Sequence, residues 1–176
     1  MDDAGLAVAA RDGDRDAFMW LVRGHQARVR ALAYGMLGDR ALAEDVAQEA
    51  FLRAWRGIAG FRGDAAFSTW MYSIARRVAL EFTRKKTLPT VPLDLAPPAA
   101  DPSGTDPELR GDLERAIAAL EPAHREAFLL VAVLGLPYSE VSRMIGIPTG
   151  TVASRVFRAR ERLAEAMRVR EEGGAR

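Results

Sequence analysis

Residues 138–163 read YSEVSRMIGIPTGTVASRVFRARERL, and this stretch decides the fold of the C-terminal part of the chain. Its pattern predicts a short helix over residues 138–145, a turn at Gly146-Ile147-Pro148, and a long helix from Thr149 to about Arg170. Apolar side chains on both sides of the turn would fill the angle between the helices. Two helices joined in this way form a helix-turn-helix, a unit that sets its second helix in a DNA major groove.

The predicted last helix separates an apolar stripe from a polar arc. At about 100° per residue, its apolar positions fall within about 60° of one another, as the buried stripe of a helix does. They are Val152, Val156, Ala159 and Leu163. The candidate DNA-binding positions lie on a separate arc and are Thr151, Ser154, Arg155, Arg158 and Arg162. Arginine and serine bond base edges or phosphates. A solvated arginine face is the alternative, but the preceding turn favours DNA.

A proline-rich segment divides the chain. Residues 87–107 read TLPTVPLDLAPPAADPSGTDP and contain six prolines, which remove backbone donors and block helices. This segment is predicted to be a flexible linker between domains at residues 1–86 and 108–176. Both flanks are rich in Ala, Leu, Arg and Glu, without an alternating strand pattern. The predicted fold is therefore all-α, with two small helical domains joined by the linker and the second containing the helix-turn-helix.

The predicted elements follow from apolar spacing and from helix-ending residues. Asp14 and Asp39 are expected to cap helices, and Gly38 to end one. In the first domain, helices are predicted over residues 5–11, 14–37, 39–56 and 65–86, with a glycine-rich loop at 57–64. In the second domain, they are predicted over residues 108–120 and 122–134 before the helix-turn-helix, with a frayed tail at 171–176.

The composition excludes several classes of function. The chain contains no cysteine and only two histidines, His25 and His124, so we expect no metal, no cofactor and no enzymatic activity. No apolar run approaches the roughly 20 residues that span a bilayer, and the acidic N-terminus differs from a signal peptide. A cytoplasmic protein without membrane insertion is expected. The net charge is only +1, so a nucleic-acid surface must be one face rather than a whole domain.

Several segments together resemble a known family. The block at residues 120–163 closely resembles the promoter-binding C-terminal domain of extracytoplasmic-function (ECF, group 4) sigma factors of the bacterial sigma-70 family. Residues 39–55, DRALAEDVAQEAFLRAW, resemble the polymerase-binding helix of that family. Residues 67–86, FSTWMYSIARRVALEFTRKK, resemble its minus-ten-binding helix, and residues 9–22 are also similar. Independent segments in the right order make a stronger signal than any single motif.

The resemblance implies a role for each domain. Residues 1–86 would correspond to sigma region 2, which binds core RNA polymerase and the minus-ten element. Residues 108–176 would correspond to region 4, whose helix-turn-helix binds the minus-thirty-five element. Implied partners are the polymerase largest-subunit clamp and flap, promoter DNA, and an anti-sigma factor. The implied polymerase-binding residues are Asp45, Gln48, Glu49 and Arg53. The implied minus-ten residues are Arg56, Phe61, Arg62, Ser73, Arg76, Arg77 and Arg84.

Some details depart from the family pattern or stay open. Arg77 stands where the family usually has asparagine, and Glu81 where aspartate is usual. A basic residue is common at the positions of Val131 and Ala153, so the resemblance implies altered promoter recognition. Phe61 is expected either to stack on a base or to plug its loop into the core. Two rival functions are a helix-turn-helix regulator acting independently of core polymerase and a protein-interaction module without DNA contact.

Overall fold

The protein is helical throughout the part of the chain that the structure describes. The computed structural model describes residues 2–86 and 107–173, where no strand occurs. The all-α prediction is therefore confirmed. The chain divides into two compact units, Met1–Thr87 and Leu88–Arg176. The predicted linker lies outside the described residues, except for Pro107, which begins a helix. No helix in the described ranges is both long and apolar enough to cross a membrane.

The N-terminal unit is a bundle of four helices, and aspartates cap the starts of the first three. Asp14 Oδ1 accepts hydrogen bonds from the backbone N–H groups of Asp16 and Ala17, and Asp39 Oδ1 accepts one from Leu42. Both predicted caps are confirmed, and they satisfy backbone donors that have no partner within the helix. The helices are α1 (Asp3–Arg11), α2 (Arg15–Leu37), α3 (Arg40–Gly57) and α4 (Phe67–Lys86).

The core of the N-terminal unit lies where α2, α3 and α4 pack together. The α3 helix contributes mostly small side chains to it. Its buried residues are Ala43, Val46, Ala47, Ala50 and Ala54. This alanine stripe lets the neighbouring helix backbones approach closely. The large buried side chains come from α2 and α4 instead, including Leu21, Leu32, Met71 and Tyr72.

His25 is the buried polar residue among the described side chains, and it links three helices. Only 3% of its surface is exposed. Its Nε2 lies 2.8 Å from Asp3 Oδ2 on α1, and its Nδ1 lies 3.0 Å from the hydroxyl oxygen of Tyr72 on α4. Both ring nitrogens thus have partners, which removes the desolvation cost of an unpaired buried group. Burial raises the pKa of Tyr72, so its hydroxyl stays protonated.

The C-terminal unit is organised around its last helix, which packs against each of the three other helices. The apolar stripe of this helix is fully buried, as predicted. Leu120 packs against Ala159 and Leu163 to form one part of the core. The helices are α5 (Pro107–Ala119), α6 (Pro122–Phe128), α7 (Tyr138–Ile145) and α8 (Thr149–Gly173).

The α7–α8 turn has the predicted helix-turn-helix geometry. Gly146 adopts the left-handed conformation at φ 74°, which suits glycine because it has no Cβ. Its N–H donates to Ser142 O at 2.9 Å, and the Ser142 hydroxyl donates to Ile147 O at 2.6 Å. Pro148 O then accepts the first hydrogen bond of α8, from Thr151 N. The turn is therefore held by its own backbone and one serine.

Three predicted details are wrong. The predicted loop at 57–64 contains a 3₁₀ turn, Ile58–Gly60, and α4 begins at Phe67. The predicted helix at 122–134 changes to a π-type turn over Leu129–Val133, where Leu134 N donates five residues back to Leu129 O. The last helix continues to Gly173, so fraying from residue 171 is not observed. Residues 164–172 are almost all strong helix formers, which accounts for the extension.

Candidate nucleic-acid and partner interfaces

The polar arc of α8 lies opposite a buried framework. Ser154, Arg158 and Arg162 are exposed, while Thr151 and Arg155 are half-buried. The Ser154 hydroxyl donates to Thr151 O one turn earlier at 2.9 Å, so its oxygen lone pairs face outward. The structure thus brings all five predicted residues to one side of α8. Hydrogen-bond donors on an exposed helix following a turn have the arrangement that reads a DNA major groove.

Phe157 is an exposed aromatic on α8 that the sequence interpretation did not assign. Its exposed fraction is 62%, the highest among the large apolar side chains. It lies three residues after Ser154 on the same helix, and so close to the polar arc. The signal was available in the sequence, because position 157 falls outside the buried stripe. An exposed ring at this place can contact a thymine methyl group.

An acidic face runs along α3 with an exposed apolar residue at its C-terminal end. Asp45 and Gln48 are exposed and Glu49 is half-buried. Leu52, four residues after Gln48, is 50% exposed on the same side. The sequence interpretation assigned the three polar residues and missed the leucine. A leucine next to these polar side chains fits a partner surface that combines basic and apolar groups.

Arg53, predicted to bind polymerase, is held within the N-terminal unit. Its Nε donates to Glu49 Oε1 at 2.7 Å, and its two terminal nitrogens donate to both carboxylate oxygens of Glu81 at 2.9 and 2.8 Å. Glu81 is on α4, so the guanidinium joins α3 to α4. Its hydrogen bonds lower the pKa of Glu81 below its usual range. Arg53 and Glu81 are therefore both ionised at neutral pH.

The predicted minus-ten residues are spread over α4, the end of α3 and the loop between them. Arg56, Arg62, Arg77 and Arg84 are exposed, whereas Ser73 and Arg76 are half-buried. The Arg77 Nε donates to Ser73 O at 3.2 Å, and the Ser73 hydroxyl donates to Trp70 O at 2.7 Å. These bonds orient side chains along one side of α4. The exposed arginines supply the positive charge that phosphates require.

Phe61 packs into an aromatic cluster rather than projecting from its loop. Its ring centroid lies 5.2 Å from that of Trp70 and 6.0 Å from that of Phe67. Phe67 is buried, and Phe61 and Trp70 are half-buried. The cluster therefore anchors the loop to α4, while Phe61 and Trp70 keep part of their rings exposed to solvent. The two expected roles of Phe61, a plug and a stacking surface, are compatible in this position.

A cavity of about 360 Å³ opens beside this cluster. It lies between the end of α3 and α4, and the predicted minus-ten residue Arg77 forms part of its wall. Its lining combines an indole, an aliphatic side chain and three charged groups. The lining residues are Arg53, Gly57, Trp70, Ile74, Arg77 and Glu81. Within the described residues, no group of three or more His, Asp or Glu side chains is placed to hold a metal ion.

Comparison with known proteins defines the class of protein. The profile of Sigma-70 region 2 matches residues 21–88, and the profile of Sigma-70 region 4 matches residues 110–163. The two matches follow one another in the chain, as in a promoter-recognition subunit with both regions. The chain belongs to the extracytoplasmic-function (ECF) RNA polymerase sigma factors, as its relatives establish.

The relatives share much of their length with the chain. SigM of Mycobacterium tuberculosis is 38% identical over 92% of this chain and 83% of its own length. The sigma-E factor of Escherichia coli is 35% identical over 92% of each. SigE of Mycolicibacterium smegmatis is 34% identical over 93% of this chain and 68% of its own length. Each is named an ECF RNA polymerase sigma factor, which confirms the predicted family and function.

Two solved structures are similar in fold. The sigma factor RpoE of Bartonella quintana, solved with the anti-sigma factor NepR, gives a TM-score of 0.74. It is 25% identical and covers 86% of this chain and 97% of its own. CnrH, solved with the cytosolic domain of CnrY, gives a TM-score of 0.72 over 95% of this chain and 97% of its own. At 21% identity, CnrH supports the fold alone.

Proposed function

We propose that this chain directs core RNA polymerase to promoters through two separate surfaces. Residues 1–86 bind polymerase and the opened minus-ten strand, and residues 108–176 bind minus-thirty-five duplex DNA. The observation that carries the proposal is the α8 helix, which buries one apolar stripe and turns Ser154, Arg155 and Arg158 outward. The polymerase carries out the chemistry, and the chain supplies sequence selectivity in the cytoplasm.

The polymerase contact is assigned to the acidic face of α3. Asp45 and Gln48 are exposed there, and Glu49 keeps one carboxylate oxygen outside its bond with Arg53. A basic helical surface such as the polymerase clamp complements this face in charge. Leu52 adds apolar area at its C-terminal end. The polymerase flap is assigned to the C-terminal unit on the basis of the family alone.

The minus-ten contact is assigned to α4 and its preceding loop. The exposed arginines there bind phosphates of the nontemplate strand, and the aromatic cluster offers a ring to an unstacked base. Base–aromatic stacking contributes about 1–3 kcal/mol per base, which offsets part of the cost of opening the duplex. An anti-sigma partner is proposed because the sigma factor RpoE was solved with one. A regulator that works without polymerase is not favoured, since both sigma regions match.

The experiment measures promoter binding with and without core polymerase. Free protein is expected to bind promoter duplex weakly, and holoenzyme tightly. Asp45→Asn is expected to weaken holoenzyme assembly several-fold, while the exposed control Asp12→Asn leaves it unchanged. Tight, sequence-specific binding by the free chain, or no association with core polymerase, would contradict the proposal.

A further inference from the structure

One guanidinium connects the two surfaces of the N-terminal unit. Arg53 is bonded to Glu49, one turn earlier on α3, and to Glu81 on α4. The contact with Glu81 is bidentate, and lysine cannot reproduce that fork. The exposed fractions of the three side chains are 38%, 34% and 36%. The network is thus partly shielded from water, and it lies between the acidic face and the minus-ten helix.

The hydrogen bonds of Arg53 argue against a DNA contact, because its Nε and both terminal nitrogens already donate to carboxylates. Two carboxylates on one guanidinium give a formal charge of −1. The hydrogen bonds that Arg53 donates to Glu81, and then to Glu49, raise the pKa of Arg53 and lower the pKa of the Glu81 carboxyl. A phosphate approaching the guanidinium would therefore have to displace the bidentate carboxylate of Glu81.

We propose that Arg53 is a positioning residue, which holds α4 and its minus-ten side chains against α3, rather than a ligand of polymerase or DNA. Glu81 lies four residues after Arg77, and both line the cavity beside Trp70. A displacement of α4 that separates Glu81 from Arg53 therefore also moves Arg77 and Trp70. This inference rests on the proposed minus-ten role of α4.

The chain contains a matched ion pair that serves as a control. Arg30 on α2 forms two hydrogen bonds with Glu44 on α3, at 2.6 and 3.0 Å. Like Arg53 and Glu81, this is an arginine–glutamate pair with two hydrogen bonds, and each side chain is 44% exposed. Arg30 belongs to no surface assigned to DNA or polymerase. Its loss should therefore report on helix–helix stability without an effect on the minus-ten helix.

The test uses the full chain with saturating core polymerase on a promoter that the wild type opens. Permanganate reactivity of minus-ten thymines and the salt dependence of promoter binding are measured for Arg53→Gln, Glu81→Gln, both together, and Arg30→Gln. Each single change at the α3–α4 network should lower opening about fivefold, equivalent to ~1 kcal/mol. The double variant should be no worse than either single one, because each breaks the same contact. Promoter opening by Arg30→Gln should stay near the wild-type level. The salt slope of promoter binding should be unchanged in all four variants.

Arg53→Lys separates positioning from direct binding. Lysine keeps the charge but loses the fork, so opening should fall as it does in Arg53→Gln. A phosphate ligand would tolerate lysine, and its removal would reduce the salt slope by about 0.9. Four results would each overturn the positioning role. They are wild-type opening by Arg53→Lys, a reduced salt slope of promoter binding, losses that add in the double variant, and improved opening by Glu81→Gln. If the wild type itself opens no promoter, the proposed function fails instead. Melting curves identify any variant that does not fold. If the Arg53 variants do not fold, promoter opening by Glu81→Gln decides whether the positioning role holds.

Discussion

The α8 face and the α3–α4 edge hold their charged side chains in different ways. On α8, Ser154 and Arg158 are exposed, and the framework beneath them is purely apolar. At the α3–α4 edge, Arg53 is bonded to two carboxylates, one on each helix. The proposed DNA contact of α8 therefore depends on one helix and its buried stripe. The proposed minus-ten contact at the α3–α4 edge depends on a contact between helices.

This difference predicts where a substitution acts locally and where its effect spreads. An exposed α8 side chain can be removed without disturbing its neighbours. A member of the α3–α4 network cannot be, because its partner is left as a half-buried charge. Four substitutions compare positions on the single helix α8 with contacts between helices of the N-terminal unit, and they follow in order of decreasing expected effect.

The largest effect is expected from a charge in the α8 framework. Val156→Asp places a carboxylate at a position that is 1% exposed, and should destabilise the C-terminal unit by about 4 kcal/mol or more. Urea unfolding followed by circular dichroism measures the change. Phe157→Asp, at the exposed neighbouring position, should alter stability by less than ~0.5 kcal/mol. Equal losses in the two variants would contradict the assigned stripe.

Removal of one arginine from the polar arc should weaken promoter use without unfolding the protein. Arg158→Ala should weaken promoter binding by about 1–3 kcal/mol. Minus-thirty-five-dependent transcription should then fall by roughly 5- to 150-fold. Arg160→Ala is the control, because Arg160 is exposed on the opposite side of the same helix. Run-off transcription on one promoter compares them. A similar loss for both would mean that general charge, rather than the polar arc, accounts for binding.

A smaller effect is expected in the interior of the N-terminal unit. Tyr72→Phe removes the hydroxyl that lies 3.0 Å from His25 Nδ1 and leaves that buried nitrogen without this partner. The expected cost is about 1–2 kcal/mol in the free energy of unfolding. Tyr138→Phe, a half-buried tyrosine outside this cluster, serves as the control. If Tyr72→Phe has wild-type stability, the three-helix link through His25 contributes nothing.

The smallest effect is the pH dependence of the Arg30–Glu44 pair. The hydrogen bond from Arg30 lowers the pKa of Glu44, so folding is stabilised above the ordinary glutamate pKa. This contribution is lost as the pH falls through the lowered value. Because both side chains are 44% exposed, it should be below ~1 kcal/mol. The free energies of unfolding of wild type and Arg30→Gln should differ at pH 7 and become equal at low pH. A difference that stays constant with pH would show that the ion pair does not cause it.

The sequence predicted what a single helix determines by itself. The caps Asp14 and Asp39, the end at Gly38 and the buried stripe of α8 all follow from local spacing, and the structure confirms them. The helix-turn-helix could be predicted for the same reason, since Gly146 and Ser142 close its turn within the six residues 142–147.

Contacts between distant residues could not be predicted in this way. Arg53 and Glu81 are 28 residues apart, and a helical wheel of α3 contains only the Glu49 partner. The π-type turn depends on hydrogen bonds from Leu134 N to Leu129 O and from Leu136 N to Leu130 O. The spacing of apolar residues in the sequence does not predict such bonds. The exposure of Leu52 likewise depends on which neighbours cover α3. Tertiary packing decided these features.

Mapping of transcription start sites tests the central claim most directly. Core RNA polymerase is incubated with a genomic fragment library, with and without the purified chain, and the new RNA 5′ ends are sequenced. The account predicts new start sites that share two upstream motifs, and loss of the distal motif preference in Arg158→Ala but not in Arg160→Ala. An unchanged set of start sites in the presence of the chain would contradict it.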